Sequence, residues 1–170
     1  MRSHAVRQSA ERVAVDAPDD AALAMDSLRR VVRALRSANA DAEQEHGITA
    51  AQLFVLRQIA TAPGQCLADV ARRTLTRQSS VSEVVAKLVA GGFVARAVAA
   101  TDRRRATLTL TPAGERIALR APETLQDRLV DGFHSLPSET GTALARGLAA
   151  WLAASGLGDV PPTMFGESLD

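Results

Sequence analysis

Apolar residues recur at helical spacing in several segments of the chain, and these segments predict most of the fold. In the first segment, apolar residues fall at positions i, i+3, i+4 and i+7, which is the spacing of one helix face. These residues are Leu28, Val31, Val32 and Leu35. The pattern predicts an amphipathic helix that begins near Asp19 and ends near His46.

A complete set of start signals precedes the next helix. Thr49 and Gln52 have the spacing of a capping box, and Ile48 and Leu53 have the spacing of a hydrophobic staple. This helix is predicted to stop before Pro63, because proline cannot continue the helical hydrogen bonds.

A short helix around Val70 and a turn at residues 74–76 are predicted to lead into a further helix. Thr76 is the predicted N-cap, since its hydroxyl can accept a hydrogen bond from the amides of the first turn. Gly91 and Gly92 end the helix. Its apolar positions have helical spacing and must face the core: Val81, Val84, Val85 and Leu88. The polar residues between them therefore face outward.

Residues 93–98 and 105–111 are predicted to form the two strands of a hairpin. In the second strand, Ala106, Leu108 and Leu110 alternate with polar residues, which gives one apolar side. Thr111 and Pro112 then supply an N-cap and a proline at the first position of another helix.

The last part of the chain is helical and apolar on one side. Pro122 is predicted to break or kink this region, and Pro137 is predicted to begin the final helix. The apolar face of that final helix carries Leu144, Leu148, Trp151 and Leu152. Together these elements predict a mainly α-helical fold with one small β-hairpin.

Two helices joined by a tight turn, with a polar face on the second, form a helix-turn-helix. The second helix of this motif fits the major groove of duplex DNA, with its first residues nearest the base edges. Gln78 is expected to pair with adenine and Arg77 with guanine or phosphate, while the serines are expected to bind phosphate oxygens. The candidate DNA-binding residues of this helix are Thr76, Arg77, Gln78, Ser79, Ser80 and Ser82.

The tip of the hairpin is rich in arginine. An arginine at such a tip can enter the narrow minor groove, where the potential is most negative. Arg103, Arg104 and Arg105 are therefore candidate DNA contacts, and Asp102 is expected to orient the guanidinium of Arg104. An arginine-rich run by itself is also typical of a solvated turn. Because this run lies beside a predicted helix-turn-helix, the DNA interpretation is favoured.

The amino-acid composition limits the kinds of nucleic acid that the protein is expected to bind. The 170 residues are 46% apolar, enough for a sizeable core, but aromatic residues make up only 3% and tyrosine is absent. Single-strand binding is disfavoured, because stacking on unpaired bases needs exposed aromatic rings. The net charge of +1 says little about partners, and the dominance of arginine over lysine also fits a GC-rich coding sequence.

The single cysteine, Cys66, excludes an intrachain disulfide and suits a reducing compartment. No apolar run approaches the roughly 20 residues that span a bilayer, and residues 1–17 lack the apolar core of a signal peptide. These features predict a cytoplasmic protein that does not enter a membrane, and no cofactor is expected.

The segment from Ile48 to Arg116 resembles the winged helix-turn-helix of the MarR family, the multiple antibiotic resistance regulators. The resemblance rests on the order and spacing of four stretches and extends, with flanking helices, over about residues 20–155. The four stretches are Thr76-Arg77-Gln78-Ser79-Ser80-Val81-Ser82, Gly91-Gly92-Phe93-Val94, Asp102-Arg103-Arg104-Arg105 and Leu108-Thr109-Leu110-Thr111-Pro112-Ala113-Gly114-Glu115.

The resemblance implies a homodimer whose terminal helices intertwine and hold two winged lobes over a palindromic operator. It also implies repression that a small aromatic or phenolic acid relieves, with Arg104 as the minor-groove arginine and Asp102 as its partner. The dimer has independent support, because one small lobe cannot cover the apolar stripes of both terminal helices. We predict residues 1–18 as a flexible arm or short extra helix, 19–47 as a dimerisation helix, 48–111 as the DNA-binding lobe, 112–156 as C-terminal dimerisation helices, and 157–170 as a tail.

The effector, its pocket and the operator sequence are not predicted. Arg36, His46 and Arg57 either lie near a cleft between lobe and dimer core or are ordinary surface and ion-pairing residues.

The sequence favours four other functions less. An enzyme is disfavoured, because His4, His46 and His134 lie far apart in the sequence and no nucleotide-binding or nucleophile motif is present. Metal sensing through Glu43, His46 and His134 has few ligands. Redox sensing would depend on Cys66 alone, and the polar helix and arginine-rich hairpin disfavour a dimerisation module that does not bind DNA.

Overall fold

The computed structural model describes residues 19–98 and 106–164. Within these ranges the chain forms seven helices and one two-stranded sheet, which confirms the predicted mainly α-helical winged fold. The elements are α1 (Asp20–His46), α2 (Ala50–Thr61), α3 (Leu67–Arg73), α4 (Gln78–Ala90), β1 (Val94–Val98), β2 (Ala106–Leu110), α5 (Pro112–Arg120), α6 (Leu125–His134) and α7 (Ser138–Ala154). None of these helices is both long enough and apolar enough to cross a bilayer.

The chain divides into two compact units, and the boundary lies inside α1 between Ala34 and Leu35. The first unit contains the beginning of α1, where every described residue is exposed or half-buried. Its apolar side chains are correspondingly accessible: Leu23, Met25, Leu28 and Val32. This stretch has the predicted amphipathic pattern without a buried face of its own.

The core of the second unit lies between α2 and α4. Both helices begin and end close to the predicted positions, and Thr49 and Gln52 form the predicted capping box. The large, fully buried side chains of this core are all branched aliphatic ones, and each is worth about 1.5–3 kcal/mol of transfer free energy. The largest are Val55, Leu56, Ile59, Val70, Val81, Val84, Val85, Leu88 and Leu108.

The sheet closes one side of this core. β1 and β2 pair antiparallel, with Val94 opposite Leu110 and Arg96 opposite Leu108. The apolar side of β2 faces inward as predicted, and Leu108 is 1% exposed. The backbone of Leu108 also accepts a hydrogen bond from the Gly64 amide (3.0 Å) and donates one to the Gln65 carbonyl (2.9 Å). These bonds attach the α2–α3 connection to the sheet.

The junction between β2 and α5 is tightly packed. The Thr111 amide donates to the Phe93 carbonyl (3.0 Å), and the Thr111 hydroxyl donates to the Gly92 carbonyl (2.7 Å). That hydroxyl also accepts from the Gly114 amide (3.2 Å), so Thr111 is the predicted N-cap. A Cβ atom at position 114 would lie 2.1 Å from the Phe93 carbonyl oxygen, which leaves room only for glycine there.

Pro122 lies in a complete break between α5 and α6, where the sequence predicts a break or a kink. A half-buried hydrogen-bond network joins this break to α2. Arg57 donates from Nε to Asp127 Oδ2 (3.1 Å) and from Nη1 to the Ala121 carbonyl (2.9 Å). Gln58 donates to the other oxygen of Asp127 (2.9 Å). Of the two roles considered for Arg57, the structure therefore shows the ion-pairing one.

The final helix, α7, contributes little to the core. Of its 17 residues only Gly141 is buried. Its apolar positions are about half exposed among the residues that the structure describes: Leu144 44%, Leu148 46% and Leu152 47%.

Candidate nucleic-acid interface

The turn between α3 and α4 is held by backbone carbonyls at the end of α3. The buried Thr74 hydroxyl donates to the Val70 carbonyl (2.9 Å), and the Thr76 amide donates to the Ala71 carbonyl (3.0 Å). Between them Leu75 has a φ of +52°, in the left-handed region that side chains seldom adopt. The turn therefore sets the direction in which α4 leaves α3.

The predicted N-cap of α4 was wrong by one residue. Arg77 occupies the N-cap in an extended conformation, and its side chain makes no capping hydrogen bond. The Thr76 hydroxyl instead donates to the Thr74 carbonyl (2.9 Å), two residues earlier. Short hydroxyl side chains often bond to nearby backbone in this way, and that local bond removes Thr76 from capping.

The first turn of α4 presents polar side chains to solvent. Arg77, Gln78 and Ser79 are exposed, whereas Thr76 and Ser82 are half-buried. The opposite face of the helix is packed into the core, so α4 cannot rotate without exposing its valines. The structure thus brings together three of the predicted contacts on one outward surface, which we call the α4 tip (Arg77, Gln78 and Ser79).

Ser80 does not face outward with its neighbours, in contrast to the prediction that it contacts DNA. Its side chain is buried, with 8% exposure, and its hydroxyl donates to the Pro162 carbonyl (3.1 Å). The sequence contained a signal for this position, because Ser80 lies four residues before the core residue Val84.

The predicted contacts at the hairpin tip, Asp102, Arg103, Arg104 and Arg105, lie outside the described residues. On the strand that leads to the tip, Arg96 is exposed. Arg96 was not among the predicted DNA contacts, although it adds positive charge to the same strand pair.

An apolar cavity of about 670 Å³ lies directly behind the α4 tip. Its size falls in the range of pockets that hold small molecules. Its described lining comes from α2, the α3–α4 turn, α6 and the C-terminal segment (residues 161–164). The residues are Phe54, Thr74, Leu75, Thr76, Arg77, Gln126, Leu129, Val130, Phe133, Pro162, Thr163 and Met164. Arg36, His46 and Arg57 are not among them.

Cys66 lies at the start of α3 and bonds to an acidic side chain. Its thiol donates to Asp69 Oδ2 (3.0 Å), and its amide donates to the same oxygen (3.1 Å). These two bonds, followed by the bond from Arg72, lower the pKa of Asp69 from 3.8 to about 2. The cysteine thus has a structural partner at a helix start.

Two of the residues considered as metal ligands contact neighbouring side chains of α1. Glu43 accepts a hydrogen bond from Asn39 (2.8 Å), and His46 Nε2 lies 3.8 Å from Glu45. In residues 19–98 and 106–164, no group of three or more His, Cys, Asp or Glu side chains is arranged to hold a metal ion.

Comparison with known proteins gives a consistent result. A family model described as MarR family matches residues 46–105. An HTH-type transcriptional repressor of Mycobacterium tuberculosis, Rv2887, is 33% identical over 103 residues, which span 61% of this chain and 73% of that protein.

Solved structures show the same fold. The transcriptional regulator PcaV of Streptomyces coelicolor, solved with its natural ligand, is 22% identical, with a TM-score of 0.52 over 84% of this chain and 99% of that one. FabT of Streptococcus pneumoniae, solved in complex with DNA, is 17% identical, with a TM-score of 0.52 over 81% of this chain and 98% of that one.

Proposed function

Because the chain belongs to the MarR family of transcriptional regulators, we propose that it is a cytoplasmic, homodimeric repressor that binds duplex DNA through the α4 tip. The observation that carries this proposal is the fixed orientation of α4. Its apolar face is fully buried, and its first turn projects polar and cationic side chains into solvent.

The α4 tip has the chemistry that the major groove requires. The amide of Gln78 can donate to and accept from one adenine edge, and Arg77 can bind guanine or a phosphate. The first-turn amides of a helix also favour an anion, which suits a phosphate beside the groove. Ser79 is exposed and supplies a further hydroxyl for the backbone of the DNA.

A second contact is proposed for the hairpin between β1 and β2. Arg103, Arg104 and Arg105 supply positive charge for the adjacent minor groove, and Asp102 orients Arg104. With the α4 tip, this arrangement grips two neighbouring grooves from one lobe.

Two lobes are needed for a palindromic operator. The half-exposed leucines of α7 and the accessible apolar residues of α1 are the proposed dimer surfaces. A two-fold axis would place the α4 tips of both chains on half-sites about 34 Å apart. We therefore keep residues 19–47 and 112–156 as dimerisation regions and 48–111 as the DNA-binding lobe.

The cavity behind the α4 tip is the proposed site of a small effector, an aromatic or phenolic acid. Phe54, Leu129 and Phe133 supply apolar walls for a ring, and Arg77 at the edge supplies a cation for a carboxylate. Because Arg77 is also a proposed DNA contact, a carboxylate held there would compete with the DNA for the same guanidinium.

The DNA-binding proposal can be tested by fluorescence anisotropy with duplexes selected from genomic fragments. Gln78→Ala is expected to change preference at one base pair per half-site, with a cost of about 1–3 kcal/mol there. Gln44→Ala, an exposed glutamine on α1, is the matched control and should bind like the unmodified protein. Equal affinity and equal preference for both variants would contradict the assignment of α4.

The hairpin contact is tested by the salt dependence of the same binding. Arg104→Ala is expected to weaken binding to all duplexes and to reduce the salt slope by about one per lobe. Arg146→Ala, an exposed arginine on α7, is the control and should leave the slope unchanged. A slope that Arg104→Ala does not alter would remove the hairpin from the interface.

A further inference from the structure

The C-terminal segment returns to the DNA-binding lobe. After α7 ends at Ala154, the chain reaches residues 161–164, where Pro161, Pro162 and Thr163 are exposed. Met164 differs sharply from them, because only 4% of it is exposed. Its side chain is one of the walls of the apolar cavity behind the α4 tip.

A hydrogen bond joins the same segment to α4. The buried Ser80 hydroxyl donates to the Pro162 carbonyl (3.1 Å), across 82 residues of sequence. Two consecutive prolines restrict the backbone before Met164, so that less conformational entropy is lost when the segment docks. The segment therefore contacts both the cavity and the first turn of α4.

We propose that Met164 is a displaceable wall of the cavity, and that an apolar aromatic ligand binds by taking the place of its side chain. Displacement of Met164 breaks the bond between Ser80 and Pro162 and releases the first turn of α4. The proposal deepens the effector site proposed above and rests on the ligand response assumed there.

The turn before α4 is placed to transmit this change. Leu75, Thr76 and Arg77 all line the cavity and are followed directly by α4. Leu75 has an unfavourable left-handed backbone, which the surrounding contacts hold in place. A change in those contacts allows the turn to relax, and Arg77 in the α4 tip moves with it.

Competition with Met164 sets the apparent affinity for a ligand. If the segment is docked in most molecules, the ligand binds only the small undocked fraction, and its apparent dissociation constant rises accordingly. Removal of most of the Met164 side chain is expected to tighten aromatic binding on the order of 10-fold, given the stabilisation that a buried methionine supplies.

Methyl NMR of the full chain observes the segment directly. The sequence has three methionines, Met1, Met25 and Met164, and Met164→Ala assigns the third signal. The probe is 8-anilinonaphthalene-1-sulfonate, an apolar aromatic anion. We expect saturation with this probe to move the Met164 methyl signal to the position of a solvated methionine. A Met164 signal that stays in place while the probe binds would overturn the proposal.

Probe affinity, measured by fluorescence, provides the second test. Met164→Ala is expected to tighten binding about 10-fold, whereas Val160→Ala, an exposed apolar residue outside the cavity lining, should change nothing. Ser80→Ala should tighten binding roughly 2- to 10-fold through loss of one hydrogen bond, whereas Ser155→Ala, an exposed serine outside the cavity lining, is the control and should change nothing. Unchanged affinity in Met164→Ala, or no binding to either protein, would contradict the proposal.

The two proposals fail in different ways. The methyl signal and the probe titration need no DNA. A protein that does not bind DNA would therefore contradict the proposed function without contradicting the displacement of Met164. Conversely, an aromatic acid could release the protein from DNA while the Met164 signal stays in place. That result would support the proposed function and contradict the displacement of Met164.

Discussion

Helices α4 and α7 are both amphipathic but have opposite surroundings. In α4, five of 13 residues are buried, and the valines and the leucine of its apolar face are fully inaccessible. In α7, one of 17 residues is buried, and the leucines of its apolar face are about half exposed.

This difference in burial indicates that the apolar faces of α4 and α7 have different roles. The face of α4 is satisfied inside the chain, so its polar side is available to a ligand and is held in one orientation. The described residues leave the face of α7 about half exposed, and an exposed apolar stripe of this kind is typical of a contact with another protein surface. The comparison supports an interface with DNA at α4 and an interface between chains at α7.

Leu148→Glu should produce the largest effect on this comparison. If α7 forms the dimer, the substitution places a charge in each copy of an apolar interface and costs roughly 3–5 kcal/mol of dimer free energy. Sedimentation equilibrium should then show monomers at concentrations where the unmodified protein is dimeric. Ala150→Glu adds the same charge on the opposite side of α7 and should remain dimeric. A dimeric Leu148→Glu protein would exclude this face from the interface.

Gly114→Ala tests the other side of the comparison, the internal packing of the lobe. The new Cβ meets the Phe93 carbonyl oxygen, and we expect a loss of about 2–3 kcal/mol in the free energy of unfolding. Gly132→Ala in α6 meets no atom within 4 Å and should stabilise the protein by about 0.5–1 kcal/mol. Urea unfolding measures both, and equal stabilities would contradict the close approach.

Much of the lobe follows from local sequence. Thr49 with Gln52, Thr111 with Pro112, and Pro122 specify helix starts and a helix break, because their effects act within a few residues. The buried face of α4 follows from the spacing of its valines. These are the places where short-range geometry alone determines the structure.

The parts that were missed depend on contacts between distant residues. The Ser80–Pro162 bond spans 82 residues and the Arg57–Asp127 pair spans 70, and no local pattern encodes either. The predicted N-cap of α4 was wrong for a different reason. The Thr76 hydroxyl could bond either to the first turn of α4 or to the preceding backbone, and it donates to the Thr74 carbonyl. Helix α4 and its buried face were therefore predicted, but the burial of Ser80 and the cavity were not.

The smallest expected effect is a pH dependence of folding stability that arises from Asp69, at the start of α3. Its pKa is lowered to about 2 in the folded protein, so its contribution is present above about pH 4 and is lost as the pH falls through 2. Asp69→Asn should be less stable than the unmodified protein at pH 7, and the difference should shrink between pH 4 and 2. Thermal unfolding across this range measures it, and a constant difference would contradict the role of the charge.

In the proposed complex, two copies of the chain present two α4 tips to one DNA duplex. Sequencing of the duplexes that the protein retains from a random library at low ionic strength tests it most directly. We expect an inverted repeat with half-site centres about 10 base pairs apart, and loss of the sequence preference in Gln78→Ala. A single asymmetric site, or no enrichment above the starting library, would contradict it.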